Sequence, residues 1–212
     1  MKKVLILDLD NTIYPVSSIA DHLFAELFAT LDQYAGIINL KDNSRVSRIK
    51  DEMTRRPFQH IADEFELDDE IRNKMIDTLK NMTYDLPILP FEDYQYIRST
   101  PLDKFLVTTG FIKLQMSKVK MLGIEQDFKK IHIVDPEVSR LTKKDIFAEI
   151  MAVHHYSPGE LLVIGDDPGS EIKAAQTLGI DTVLYDPGNK YPGVAATHKI
   201  ENFEKIPYIL ND

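Results

Sequence analysis

The stretch VLILDLDNTIY, residues 4–14, puts two aspartates two positions apart at the end of a continuous apolar run. Four branched apolar residues in a row predict a strand buried on both faces, the kind found in parallel sheets. A carboxylate at the end of such a strand is costly unless a cation or hydrogen-bond donors meet it, and Asp8 and Asp10 double that cost. The rest of the chain is expected to supply what compensates them.

Two textures follow. Over residues 17–82 apolar residues recur at helical spacing: Ile19, Leu23, Phe24, Leu27, Phe28 and Leu31, then Val46, Ile49 and Met53, then Ile71, Met75, Ile76, Leu79 and Met82. No strand pattern is evident there. From residue 104 short apolar strands alternate with helices: KFLVTT, a helix from about Phe111 to Leu122, IHIVD, a helix from about Lys143 to His154, LLVIGD, a helix from about Gly169 to Leu178, and DTVLYD. That alternation predicts an α/β fold with a parallel sheet. Pro87 and Pro90, in LPILP, mark the return from the first texture to the second. The expected organisation is a catalytic core from residues 1–14 and 91–212, with an all-helical cap over residues 15–90. The cap would leave from the carboxyl end of the first strand, the edge at which open parallel sheets bind ligands.

Composition narrows the function classes. With 212 residues, 43% hydrophobic and 28% charged, the chain reads as a soluble globular protein able to bury a sizeable core. It has no cysteine, which excludes disulfides, thiolate nucleophiles and cysteine zinc sites and fits the cytoplasm. The basic start Lys2-Lys3 and the run after it resemble a signal peptide only until Asp8 and Asp10 interrupt, so no targeting segment is expected. Nothing approaches the ~20 apolar residues of a membrane span. A formal charge of −9 argues against nucleic-acid polymers and anionic membranes as partners. Lys118, Lys120, Lys129 and Lys130 read as solvated surface.

The other strand ends carry the candidates. KFLVTTG ends in Thr108, Thr109 and Gly110; LLVIGDDPGSE ends in Asp166 and Asp167, with Glu171 one turn later. In LTKKDIF, Thr142 and Asp145 form a capping pattern that puts Lys143 in a first helical turn, with Lys144 as the alternative phosphate-binding lysine. Singly each has an ordinary explanation: Asp167-Pro168 is a common helix start and Glu171 suits a helix dipole. His154-His155 likewise suits a helix end rather than a metal pair, since adjacent residues diverge on a helix. Together, converging on one sheet edge, they suit phosphoryl transfer. Asp8, Asp10 and Asp166 offer hard oxygen ligands for magnesium, while Thr108, Lys143 and backbone N–H groups can bind phosphoryl oxygens. Without cysteine, a carboxylate is the natural nucleophile, giving an aspartyl phosphate.

In these four segments, DLDNTIY, LVTTG, TKKDIF and VIGDDPGSEIKAAQTLGI, the chain resembles the haloacid dehalogenase superfamily in its phosphatase branch, over nearly its full length. The resemblance implies a Rossmann-like three-layer core, a helical cap inserted after the first motif, and Mg2+ as cofactor. It makes Asp8 the nucleophile and Asp10 the acid/base. Thr108, Thr109 and Lys143 would bind the substrate phosphate. Asp8, Asp10 (through its carbonyl) and Asp166 would hold the metal, with further support from Asp167 and Glu171. The superfamily's dehalogenases lack the second aspartate, so Asp10 favours phosphomonoester hydrolysis. DLDNTIYP is also similar to pyrimidine 5'-nucleotidase-like members through Asn11, Tyr14 and Pro15, which suggests a nucleoside monophosphate among small phosphorylated metabolites. A phosphomutase and a non-catalytic phosphate-binding regulator are the rival functions. Tyr14, Arg55, Arg56, His60 and Tyr84 lie where a substrate could meet them.

Overall fold

The run at residues 4–7 forms the expected strand. In the computed structural model, which describes residues 1–37 and 43–211, β1 (Val4–Leu7) is buried along its whole length. It lies between two parallel partners, β2 (Asp103–Thr109) and β4 (Leu161–Gly165), with Leu7 opposite both Leu106 and Ile164. With β3 (Lys130–Val134), β5 (Asp181–Tyr185) and β6 (His198–Ile200), the parallel sheet has six strands among the described residues, in the order β3-β2-β1-β4-β5-β6. The chain reverses its direction of strand addition at β1, which makes the ends of β1, β2 and β4 the switch point of the sheet.

Period-two alternation divides the sheet's side chains into two layers of contact. Leu5, Leu7, Leu106, Leu162 and Ile164 join one apolar cluster, and Val4, Ile6, Phe105, Val107 and Val163 join the other. The second cluster is closed by α8 (Lys143–His154) and α9 (Lys173–Thr177) through Phe147, Ile150 and Ala175. The first includes Leu114 and Val119 of α7 (Ile112–Leu122) and the apolar stripes of the inserted helices. This is a three-layer, Rossmann-like α/β arrangement.

Between β1 and β2 lie α1 (Ala20–Leu23), α2 (Ala25–Ile37), α3 (Asn43–Met53), α4 (Phe58–Glu64), α5 (Asp69–Asn81) and the short α6 (Gln95–Arg98). The helical periodicity is realised: Leu27, Leu31, Ile49, Ile71, Met75 and Leu79 are all buried. Residues 38–42, inside the expected cap, lie outside the described residues. Asp68 caps α5 by accepting from the Ile71 N–H at 3.1 Å, with Asp69 and Glu70 in the first turn where the helix dipole favours them. α5 packs against α7, and the return segment is pinned to the first motif where Phe91 N–H donates to the Ile13 carbonyl at 2.8 Å.

Three features differ from the sequence reading. The short β6 and α10 (Ile206–Asn211) follow DTVLYD, where HKI offers too little apolar length to announce a strand. The helix expected from Gly169 begins instead as a wide π-type turn over Pro168–Ile172 before tightening into α9. Lys118 is buried, not solvated, while Lys120, Lys129 and Lys130 are exposed as expected. No helix among the described residues is long and apolar enough to cross a membrane.

Candidate active site

The turn after β1 is built by its sequence. Asn11 takes φ 57°, a left-handed conformation that asparagine tolerates better than most residues, and its Oδ1 accepts from the Val16 N–H at 3.1 Å. Asp8 therefore stays at the strand end, 7% exposed, and both it and Asp10 line a 660 Å³ cleft. The strand ends form its floor, and Phe24, Arg55, Arg56, Phe58 and His60 of the helical insert form its roof. Tyr14 and Tyr84 are buried and do not line the cleft, although the Tyr14 hydroxyl reaches Asp10 beneath it.

Lys143 answers Asp8. The Thr142–Asp145 capping box starts α8 as the sequence predicts, and Lys143 follows as its first residue, 7% exposed, with Lys144 turned to solvent. A cation at a helix N-terminus opposes the helix dipole, so this placement needs compensation. Two carboxylates supply it: Nζ donates to Asp8 Oδ1 and to Glu171 Oε2, both at 2.7 Å. Burial alone depresses a lysine, but Asp8 and Glu171 outweigh it and hold the Lys143 ammonium well above its usual pKa.

Glu171 is drawn in by the wide turn. It is 1% exposed, and its Oε1 accepts from the Asp167 N–H at 2.8 Å. Asp167 itself lines the cleft and accepts from the Gly169 N–H at 2.7 Å, which is a capping role. Glu171 fits only because residue 165 is glycine: a Cβ there would lie 2.1 Å from Glu171 Oε1. Gly165→Ala is therefore expected to displace the Glu171 carboxylate and cost about 1–3 kcal/mol of stability through overpacking. A thermal melt checks it, and an unchanged Tm would mean that Glu171 does not depend on the missing Cβ.

Asp166, half-buried beyond β4, completes a group of three: carboxylate oxygens of Asp8, Asp166 and Glu171 all lie within 4.8 Å of one another. Burial first, then the Glu171 and Asp8 carboxylates, push Asp166 up to about 8. Asp8 is pushed up to about 7 by burial, with Lys143 pulling it down and Glu171 and Asp10 pushing it up. Burial and mutual repulsion thus oppose ionisation of these carboxyls at this end of the sheet unless a cation meets them.

The Asp10 side chain faces another way. Lys118 Nζ donates to Oδ1 at 2.9 Å and Oδ2 at 3.1 Å, Gln115 Nε2 to Oδ2 at 3.0 Å, and the Tyr14 hydroxyl to Oδ1. Burial works against this carboxylate, but Lys118 and the bonds from Tyr14 and Gln115 outweigh it and hold Asp10 below the usual value. Gln115 also donates to Thr108 Oγ1 at 2.7 Å, which leaves the Thr108 hydroxyl proton free for another acceptor. Thr108 is 1% exposed, and both it and Thr109 line the cleft. The sequence reading missed Gln115 and Lys118. Their signal was the spacing Leu114, Lys118, Leu122, which puts a lysine on the buried stripe of α7.

Residues 5–185 match the haloacid dehalogenase-like hydrolase family. The chain belongs to that family. YfnB of Bacillus subtilis, a HAD-hydrolase by name, is 28% identical over 112 residues, which is 51% of this chain and 48% of YfnB, so the curated match spans about half of each protein. A YfnB structure bound to magnesium aligns with a TM-score of 0.63 at 19% identity, covering 100% of this chain and 99% of that one. A HAD phosphatase from Thermococcus onnurineus aligns at 0.65 with 19% identity, covering 99% and 98%. L-2-haloacid dehalogenase from Xanthobacter autotrophicus aligns at 0.60 with 15% identity, covering 100% and 99%. At these identities the structural likenesses establish the fold, and they include both phosphatase and dehalogenase activities.

Proposed function

We propose that this haloacid dehalogenase-like hydrolase is a magnesium-dependent phosphatase acting on a small phosphomonoester, with a nucleoside monophosphate among the candidates. The observation that carries this reading is the charge of the cleft floor. Asp8, Asp10, Asp166 and Glu171, once ionised, face the two ammoniums of Lys118 and Lys143, an excess of two negative charges. A divalent cation held by the hard oxygens of Asp8, Asp166 and Glu171, with the Asp10 carbonyl as a proposed further ligand, would offset that excess, and magnesium is the cation such a donor set suits. When bound, it neutralises phosphoryl charge and draws the ester to the nucleophile.

The chain's own residues do the rest. An Asp8 oxygen attacks phosphorus and the ester bond breaks, giving an aspartyl phosphate. Asp10 protonates the departing oxygen and then takes a proton from the water that cleaves the intermediate. Lys143 and the Thr108 hydroxyl hold phosphoryl oxygens where charge shifts in the transition state. The insert helices over the cleft act as a cap that excludes bulk water and contacts the substrate body. Dehalogenation is disfavoured because a halide leaves without a proton and so gives the second aspartate, Asp10, no role as an acid.

The test is magnesium-dependent release of inorganic phosphate across nucleoside monophosphates, sugar phosphates and small organic phosphates, with 2-haloacids run beside them. Halide release without phosphate release overturns the reading. Rapid isomerisation of a sugar phosphate with little phosphate release favours a mutase instead.

The site also sets a pH dependence. Asp8 and Asp166 have folded pKa values of about 7 and about 8, raised above their unfolded value, so the folded state binds more protons than the unfolded state between about pH 4 and 8. Stability of the metal-free protein therefore falls as pH rises through that window. We expect Tm to drop by at least about 5 °C between pH 5 and 8.5, and magnesium to raise Tm more at pH 8.5 than at pH 5. Thermal melts with and without the ion check both signs.

A further inference from the structure

Two adjacent arginines in the roof of the cleft are treated differently. α3 ends at Met53, and in the turn that follows the Arg55 and Arg56 N–H groups both donate to the Glu52 carbonyl at 2.9 Å, while the Thr54 hydroxyl donates to the Asp51 carbonyl at 2.7 Å. Both arginines line the cleft from this tied backbone. Arg56 is met by carboxylates: Nε donates to Glu52 Oε2 at 2.6 Å and Nη2 to Glu64 Oε2 at 2.8 Å. Arg55 is not. Glu52, engaged by Arg56, lies 3.9 Å from Arg55 Nη1, outside hydrogen-bonding distance. The Arg55 guanidinium instead donates to a neutral acceptor, the Tyr191 hydroxyl, at 3.3 Å. Tyr191 belongs to the core and is held through its backbone, its N–H donating to Asp186 Oδ2 at 2.9 Å and its carbonyl accepting from Lys199 Nζ at 2.8 Å. Arg55 is thus steadied where insert and core meet, with most of its five N–H donors unused among the described residues. The other cleft cations differ: Lys118, Lys143 and Arg56 each have a carboxylate within 3 Å.

We infer that Arg55 is a specificity-determining residue that binds a second anionic group of the substrate, so that the preferred ester is a small phosphomonoester carrying a carboxylate or a second phosphate; the inference rests on the phosphatase reading. The floor receives the phosphoryl group that is cleaved, and the roof receives the other charge. A guanidinium presents its donors as a planar fork that matches the oxygens of a carboxylate or a phosphate. The other insert residues lining the cleft, Phe24, Met53, Phe58 and Leu79 among them, offer no charge to such an anion. Its side chain is 48% exposed, so Arg55 stays hydrated while the cleft is empty and exchanges that water for charged hydrogen bonds when an anion arrives. A residue that only clasps the insert to the core through Tyr191 would serve every monoester alike.

The experiment measures kcat/KM of the full-length wild type, Arg55→Met and Arg55→Lys at saturating magnesium on phosphoglycerate, glycerol bisphosphate, glycerol phosphate and a nucleoside monophosphate. The first three share a three-carbon body, and glycerol phosphate lacks the second anion. The wild type is expected to favour at least one doubly anionic ester over glycerol phosphate by at least about tenfold. Arg55→Met should lose about 30-fold on that ester and under about threefold on glycerol phosphate, the scale of a hydrogen bond between charged groups. Arg55→Lys keeps the charge without the fork and should fall between; it carries the test if Arg55→Met does not reach the wild-type Tm. Whether phosphoglycerate or the bisphosphate suffers more tells which anion the fork receives. Equal losses on all esters, or none, overturn the inference and leave the phosphatase reading intact, as does a wild type that prefers glycerol phosphate or the nucleoside monophosphate. A wild type that releases phosphate from no monoester overturns both.

Discussion

Asp8→Asn is expected to abolish phosphate release, by at least about 10³-fold, the scale on which removal of a nucleophile is felt. The amide is isosteric but a far weaker nucleophile, and no aspartyl phosphate should be trapped by hydroxylamine from the variant. The fold should survive. Asp8 carries a burial cost that pushes its pKa up to about 7, and the amide removes that cost. Its partner Lys143 keeps the Glu171 carboxylate at 2.7 Å. The metal-free variant should therefore melt no lower than the wild type at pH 8.5, where the wild-type site is most heavily ionised. Loss of activity with Tm retained separates chemistry from folding. Residual turnover within tenfold of wild type would move the nucleophile elsewhere.

The second large effect is on stability. Lys143→Met removes the cation between two buried carboxylates, Asp8 at 9% and Glu171 at 1% side-chain exposure. Breaking a buried pair costs about 3–5 kcal/mol because an uncompensated charge remains, which is about 10 °C in Tm for a chain of this size. The sign with pH distinguishes this from a packing defect. At pH 5 the site's carboxyls take up protons and the deficit should shrink, whereas at pH 8.5 they ionise and it should be largest. Magnesium should recover part of the loss at high pH by supplying positive charge to the same oxygens. A deficit independent of both pH and magnesium would mean that Lys143 matters for packing alone. Phosphate release should fall as well, since the same ammonium is the proposed ligand of the phosphoryl group.

The sequence by itself determined a good deal. The unbroken apolar run of Val4–Leu7 specified a strand buried on both faces, and the alternation after residue 104 specified a parallel sheet around it. The 3.6-residue spacing of Leu27, Leu31, Met75 and Leu79 specified the helical insert. These patterns are legible because burial repeats with the period of the backbone, so local spacing reports a global face. The Thr142–Asp145 capping box was equally local, but it left Lys143 and Lys144 both open, and only the packed structure shows Lys143 buried and Lys144 exposed. Strand ends identified Asp8, Thr108 and Asp166 as neighbours because parallel strands deliver all their carboxyl ends to one edge.

Only the tertiary structure decided how the charges divide. Asp10 reads as a metal residue through its carbonyl, and its carboxylate is engaged by Lys118, Gln115 and Tyr14, while Glu171, read as support for the metal, stands directly with Asp8 and Asp166. Glu171 reaches them through a wide turn and the empty space over Gly165, neither of which has a period to read. Lys118 lies 108 residues from Asp10, and a lysine among other lysines looks solvated until its helix is docked. Periodicity reports which way a side chain points, but not which charge it will meet. Pairing of buried ions depends on contacts between distant segments, and those exist only once the sheet, α7 and α8 have packed.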